Sequence, residues 1–322
     1  MLSLHRCIRE IARYQTQTSL QMIMFNKHSD SALYCTERQQ NAGMASHAIH
    51  TIHCIQERTM DLKLRGKVAV ITGASVGIGL AVAESFAAEG THLVLAARQR
   101  ERLETAAQAL AARHGIQAIP VACDVATVEG VTQLVDATAN AFGGADILFN
   151  NAGTGSNETI MNAPDEKWQA YWDLHVMAAV RLARGLVPLM KQRGGGAILH
   201  NASICATQPL GYEPIYNVTK AALMMFSKTL ANEVVRDNIR VNTINPGLVL
   251  TPDWIKTAKQ LTSETGGDWE DYLQQVANEH APIQRFASPE ELADFIVFLC
   301  SERASYSVGS TYFVDGGMLR TV

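Results

Sequence analysis

A glycine-rich turn between a strand-like run and a helical stretch constrains this chain more than any other feature. Val68-Ala-Val-Ile71 is a short apolar run rich in β-branched residues, and Thr72-Gly-Ala-Ser-Val-Gly-Ile-Gly79 follows it directly. Gly73 permits a tight turn, Gly77 lets the backbone approach a phosphate with no Cβ in the way, and Gly79 lets the next helix pack close to the strand. The N-terminus of that helix offers unpaired N–H groups and the positive end of its dipole. The turn therefore suits a dinucleotide pyrophosphate, with Ser75 and Ile78 among its contacts. A glycine triplet alone also describes a plain close-packed turn; the strand before it and the helix after it make the ligand reading specific.

The same alternation runs on through the chain. Strand patterns fall at Val68–Thr72, Leu93–Ala97, Ala118–Cys123, Ile147–Asn150, Ala197–Ala202, Arg240–Asn245 and Thr311–Val314. Several are apolar at consecutive positions, as expected where both faces of a sheet are covered. Amphipathic helical stretches fall at Ile78–Ala88, Arg100–His114, Val128–Phe142, Glu166–Lys191, Pro214–Arg236 and Pro289–Cys300, the last opened by a capping box of Ser288 and Glu291. This order predicts an α/β fold: a Rossmann-type, doubly wound, seven-stranded parallel sheet with helices on both faces, in a single domain over residues 60–322. One segment, 251–285, breaks the rhythm with polar and aromatic residues, among them Trp254, Trp269 and Tyr272. Insertions after strand C-termini are where open α/β sheets place substrate sites, so this segment is expected to form a lid.

Residues 1–59 read differently. They hold Cys7, Cys35 and Cys54, half of the 6 cysteines, and His5, His28, His47, His50 and His53, half of the 10 histidines, with no clear helix or strand periodicity. The expectation is a poorly ordered N-terminal extension, dispensable if translation begins at Met60. Two alternatives stay open: a targeting peptide built on Arg6, Arg9 and Arg13 beside Leu2, Leu4, Ile8 and Ile11, or metal binding by His47, His50, His53 and Cys54. Solvated histidines explain the latter set more simply, and no metal is expected. The scattered cysteines form no disulfide framework and no Cys-x-x-Cys pair, which points to a reducing, cytoplasmic setting. With 27 Lys+Arg against 31 Asp+Glu the formal charge is −4, so no global basic field invites nucleic acid or an anionic membrane. No apolar run nears the ~20 residues of a membrane-spanning helix.

Three further residues carry chemistry. Tyr216 and Lys220 stand at i and i+4 at the start of a helical stretch, so they share a face. An ammonium beside a phenol favours phenolate, so Lys220 is expected to lower the Tyr216 pKa and let it exchange a proton with an alcohol or carbonyl. Ser203, thirteen residues before Tyr216, follows the fifth strand pattern and places its hydroxyl at the same sheet edge. The second strand ends in Ala97-Arg98 rather than in an acid that would accept from a ribose 2′-hydroxyl; Arg98 suits a 2′-phosphate, which favours NADP, with NAD as the alternative.

Taken together, these residues resemble the short-chain dehydrogenase/reductase superfamily. The ordered markers are Thr72–Gly79, Asp124, Asn150-Asn-Ala-Gly153, Ser203, Tyr216 with Lys220, and Pro246-Gly247 with Thr251, spread from Met60 to Val322. The resemblance implies that Asp124 hydrogen-bonds the adenine with Val125 packed nearby. It places Asn151, Ala152 and Gly153 beside the adenine ribose, and Pro246, Gly247 and Thr251 on the nicotinamide side, with Lys220 on the nicotinamide ribose. The implied reaction is hydride transfer between the nicotinamide and a carbonyl or secondary alcohol, with Ser203 and Tyr216 on the substrate oxygen. One position departs from the family. Where an asparagine is usual, seven residues past Trp168, stands His175. The resemblance implies that the asparagine's backbone carbonyl holds a water in a proton relay from the lysine; a histidine keeps that carbonyl, and its imidazole is expected to titrate in the working pH range, with a buried space-filling histidine as the alternative.

The substrate is less legible. The chain is most similar to members described as 3-oxoacyl-carrier-protein reductases, with Lys191 and Arg193 as a basic patch for a carrier, and with Pro209–Tyr212 and Ile215 adding apolar surface. The alternatives are a sugar or polyol dehydrogenase and a non-catalytic dinucleotide-binding protein. The resemblance also implies a small-molecule substrate and a homo-oligomer, tetramer or dimer, joined through the stretches 168–191 and 214–236.

Overall fold

The computed structural model describes residues 60–155, 158–209 and 213–321, with three earlier strands, Leu20–Ile23, Tyr34–Glu37 and Ile49–Thr51. The chain forms two units, Met1–Asp61 and Leu62–Val322. In the first, the three strands pair antiparallel in one sheet. Strands of three or four residues carry too few alternations to register as a sequence pattern. The rest of that unit, and with it most of the targeting and metal-binding residues considered above, lies outside the described residues.

In the second unit, seven strands form one parallel sheet: β1 Val68–Thr72, β2 His92–Ala97, β3 Ala118–Ala122, β4 Ile147–Asn150, β5 Gly196–Asn201, β6 Ile239–Pro246 and β7 Thr311–Val314. Their order is β3-β2-β1-β4-β5-β6-β7. This is the doubly wound arrangement expected, with strand ends displaced by at most one residue. Alternate side chains explain the two covered faces. Ala69 and Ile71 of β1 join one apolar layer with Phe86, Leu95 and Leu103, while Val68 and Val70 join the other with Leu148, Leu182 and Leu186. The described helices are α1 Gly77–Ala88, α2 Arg100–His114, α3 Val128–Phe142, α4 Asp165–Trp172, α5 Ala178–Gln192, α6 Pro214–Val234, α7 Pro252–Thr265, α8 Trp269–His280 and α9 Pro289–Cys300. The capping box of Ser288 and Glu291 is formed.

The single helix expected over 166–191 is instead two, α4 and α5, joined by a π turn, Asp173–Met177. A π turn holds one more residue per hydrogen-bonded ring than an α turn, and such turns cluster at functional sites. Here it buries His175 and Val176. Apolar periodicity is too coarse to reveal a single widened turn.

The opposite, N-terminal edge of the sheet is tied by Asp146. Its carboxylate oxygen Oδ2 accepts the Val68 N–H at 2.8 Å and Arg193 Nη2 at 2.7 Å. Its backbone links β1 and β5 through Val68 O and the Ala197 N–H, each at 2.9 Å. Lys191 pairs with Asp237 at 2.7 Å. This overturns the carrier-protein patch read from Lys191 and Arg193: both cations serve the far edge of the sheet.

Candidate active site

The chain leaves β1 towards β2 on one side and takes up β4 on the other, so a crevice opens at the C-terminal ends of these two strands. The glycine-rich turn lies there. Gly73 and Gly77 have φ of +66° and +57°, a region that disfavours side chains. A Cβ on Gly79 would stand 2.2 Å from the Gly73 carbonyl oxygen, so helix and turn touch as the spacing predicts. The N-cap of α1, Val76, has no side-chain cap, and no acid stands in the first turn. Those N–H groups and that dipole end therefore suit a pyrophosphate. Ser75 and Ile78 are partly buried on the same turn, and Arg98 is exposed just beyond β2.

The neighbouring loops are strapped to this turn. The Thr72 hydroxyl accepts the backbone N–H groups of Asn151 at 2.9 Å and Ala152 at 3.0 Å. The Asn151 amide donates to Thr72 O at 3.0 Å and accepts from Asn201 Nδ2 at 2.8 Å. Asn151 thus crosslinks strand ends at the place where the resemblance puts the adenine ribose. Asp124 Oδ1 accepts the Ala126 N–H at 3.0 Å, and Val125 is buried beside it. Pro246 ends β6, and the Gly247 N–H donates to Val314 O at 3.0 Å. Thr251 is the N-cap residue of α7 and packs over Gly77, whose Cβ would lie 3.5 Å from Thr251 Cγ2.

Ser203, Tyr216 and Lys220 converge at the next strand end. Ser203 is the N-cap of a short 3₁₀ turn, Ile204–Ala206, and its Oγ accepts the Cys205 N–H at 3.2 Å. Tyr216 lies on the first turn of α6 and shares a side-chain hydrogen bond with Ser203. Lys220 is buried, donates from Nζ to Asn201 O at 2.7 Å, and lies 5.3 Å from the centre of the Tyr216 ring. The pair therefore shares a helix face as i,i+4 spacing requires.

The expected electrostatics are not what this arrangement gives. Burial pushes the Tyr216 phenol up, and the nearby Cys205 and Glu213 push it further; the Ser203 hydrogen bond opposes them. The Lys220 ammonium stands over the ring face and is itself pushed down to about 8 by burial. Because Lys220 loses its proton at about 8, it carries no charge at the pH where the buried phenol would ionise. Tyr216 is consequently kept protonated.

His175 also departs from its expected behaviour. Burial, then the Lys220 charge, hold its pKa well below the ordinary histidine value, so it does not titrate in the working range. Its partners explain the neutral form. Nε2 accepts the Thr154 N–H at 3.3 Å, which requires the proton on Nδ1. Nδ1 then donates to Thr219 Oγ1 at 2.8 Å, and that hydroxyl donates to Ile215 O at 2.9 Å. The ring sits edge-on between Tyr171 and Tyr216, with centres at 5.4 Å and 5.5 Å. Sequence reasoning missed Thr219, Thr154, Tyr171 and the Asn201 carbonyl, none of which carries a local signal.

In the 251–285 segment, Trp254 packs edge-on against Phe286 at 5.3 Å and belongs with Tyr216 among the residues packed against one apolar cluster. Trp269 instead meets Lys259, whose Nζ lies 4.8 Å from the ring centre. Ile215 is fully buried, and Leu210, Gly211 and Tyr212 lie outside the described residues. Among the described residues no cluster of His, Cys, Asp or Glu is arranged to hold a metal.

Comparison with known proteins gives the family context. The family model described as enoyl-(acyl carrier protein) reductase matches residues 73–319. Dehydrogenase/reductase SDR family member 4 from Oryctolagus cuniculus is 38% identical over 256 residues, covering 79% of this chain and 94% of its own. A 3-oxoacyl-acyl-carrier-protein reductase from Aquifex aeolicus is 31% identical over 260 residues, covering 80% of this chain and 100% of its own. Among solved structures, L-sorbose reductase from Gluconobacter frateurii, complexed with NADPH and L-sorbose, is 73% identical with a TM-score of 0.81, covering 82% of this chain and 100% of that one. An NADPH-bound short-chain oxidoreductase from Pseudomonas aeruginosa PAO1, described as containing an atypical catalytic centre, is 32% identical with a TM-score of 0.74, covering 80% of this chain and 98% of that one.

Proposed function

This chain belongs to the short-chain dehydrogenase/reductase family, and from that membership we propose that it is an NADPH-dependent reductase of a keto sugar or related polyhydroxy ketone. The observation that carries the substrate class is the 73% identity to a reductase solved with NADPH and L-sorbose. The site's polarity supports it. The Glu213 carboxylate lies close enough to Tyr216, Tyr171 and Cys205 to raise the pKa of all three. An acceptor beside the catalytic hydroxyl suits a substrate with several hydroxyls better than an acyl chain. The sugar reading, second in rank on sequence alone, thus moves ahead of the thioester reading.

The glycine-rich turn would hold NADPH, which would supply the hydride for a substrate carbonyl. The chain's own residues handle binding and the proton. The α1 N-terminus holds the pyrophosphate, and Arg98, in place of an acid, takes the 2′-phosphate. Ser203 and Tyr216 hydrogen-bond the carbonyl oxygen, and Tyr216 gives it a proton. Lys220, anchored on Asn201 O, recharges the tyrosine. Neutral His175 acts as a positioning residue, joining the Thr154 loop to α6 through Thr219. The 251–285 segment serves as a lid, with Trp254 facing the substrate. We further propose a homo-oligomer, dimer or tetramer, because Val218 and Met225 on α6 and Trp172 on α4 leave apolar surface exposed. A cytoplasmic setting fits the free, buried thiols of Cys123, Cys205 and Cys300. Among the described residues no helix is long and apolar enough to cross a membrane.

The deciding experiment follows oxidation of NADPH and NADH at 340 nm against keto sugars, acyl thioesters and diketones. The expected result is preferential turnover of a keto sugar with NADPH. Preferential use of acyl thioesters overturns the sugar reading, a strong NADH preference overturns the Arg98 assignment, and no turnover of any supports a non-catalytic protein.

The pH dependence has a definite sign. The ammonium form of Lys220 is the one that recharges Tyr216, and it is lost as pH rises through about 8. The kcat/KM for reduction is therefore expected to be flat below that value and to fall above it. A profile that stays flat to about pH 10, the range of an unperturbed lysine, contradicts the assignment.

A further inference from the structure

The segment after β7 is bound to the turn that presents Ser203. The Gln208 side chain donates from Nε2 to Met318 O at 3.3 Å and accepts the Arg320 N–H on Oε1 at 3.1 Å. One side-chain amide thus occupies the donor and acceptor of two residues spaced as along one edge of a strand, as a neighbouring strand would. Gln208 is itself fixed to the active-site turn, its N–H donating to Ile204 O at 2.9 Å. A second tether is Asp315, whose carboxylate accepts the Gly317 and Leu319 N–H groups at 3.0 Å and 2.8 Å.

What these bonds hold in place is Met318. It is 5% exposed between two exposed neighbours, Gly317 and Arg320, and the partly buried Leu319. Its side chain belongs to the cluster of Ile204, Cys205 and Leu248 against which Tyr216 and Trp254 pack. It also lies flush on the Pro246–Gly247 corner: a Cβ on Gly247 would stand 2.7 Å from Met318 Sδ. The cluster that Met318 belongs to thus adjoins Tyr216, Trp254 and that corner.

We propose that Gln208 is a positioning residue for the reaction: it clamps the Asp315–Arg320 tail so that Met318 stands as a fixed apolar wall of the substrate site. The inference rests on the reductase reading above. The wall stands at the Pro246–Gly247 corner and the Tyr216 cluster, away from the glycine-rich turn that suits the pyrophosphate, so loosening it acts on substrate binding more than on the dinucleotide.

The test compares wild type with Gln208→Met, which keeps length and loses the amide, and with Asp315→Ala and the double variant. Three readouts are used: steady-state kinetics with the best ketone, NADPH affinity by fluorescence, and amide exchange of residues 315–320. Gln208→Met is expected to raise KM about tenfold with kcat within about twofold and NADPH affinity unchanged. Exchange at Arg320 should accelerate, and the double variant should cost less than the sum of its parts. Unchanged exchange at Arg320 overturns the clamp. Faster exchange with unchanged KM overturns its role in the substrate site. Should wild type turn over no ketone, the reductase reading fails by itself, and the role assigned to Gln208 falls with it, while exchange still decides whether the clamp exists.

Discussion

Tyr216→Phe is expected to lower kcat for ketone reduction about a thousandfold or more while NADPH affinity stays within about twofold. The substitution removes one oxygen and leaves a ring of nearly the same shape between His175 and the Trp254 cluster. What is lost is the proton donor: burial and the neighbouring Cys205 and Glu213 keep that phenol protonated, so it gives a proton to an oxygen on which negative charge develops. Positioned proton transfer contributes ~10²–10⁴-fold, and loss of a hydrogen bond to the same oxygen adds to it. The dinucleotide cradle is built from other elements, so binding should persist. Measuring single-turnover NADPH oxidation alongside NADPH fluorescence titration separates the two. Turnover retained within about tenfold of wild type would remove Tyr216 from the chemistry.

Asp146→Ala is expected to lower the unfolding free energy by about 3 kcal/mol, with the kinetics of the folded enzyme unchanged. The carboxylate is buried at the edge of the sheet far from the site, and one of its oxygens serves both the Val68 N–H and Arg193. Truncation leaves a guanidinium without its anion and a strand-end N–H without its acceptor. Arg193 keeps 28% of its side-chain exposure, so water recovers part of the loss and the cost sits at the low end for a broken buried pair. Asp146→Asn retains an acceptor for Val68 and should cost about half as much. Urea unfolding monitored by tryptophan fluorescence measures both. A change below about 1 kcal/mol for the alanine variant would show that β1, β4 and β5 hold together without this link.

Several features were legible because their signals are local. The strands β1, β4 and β7 and the helices α2, α3 and α9 lie where apolar periodicity, glycine turns and the Ser288 cap put them. Strand–helix alternation fixes a parallel sheet, and right-handed crossovers leave few ways to order it. The i,i+4 spacing of Tyr216 and Lys220 fixes their shared face. The glycine spacing fixes the turn, since Gly79 has no room for a Cβ and Gly73 has a left-handed φ.

Other features depended on distance through space, which no short window records. The sign of the Tyr216 shift came from the depth of its burial, with Cys205 and Glu213 adding to it and outweighing the Ser203 hydrogen bond. The neutrality of His175 came from the Thr154 N–H, 21 residues away, and the Thr219 hydroxyl, 44 residues away. The Gln208 clamp spans 110 and 112 residues. The amino-acid sequence by itself determined the layers, the glycine-rich turn and the face that Tyr216 and Lys220 share, because backbone geometry and side-chain periodicity act over a few residues. Only the tertiary structure decided which protons those groups hold and which tail closes on them, because desolvation and hydrogen bonding depend on whatever the fold packs alongside.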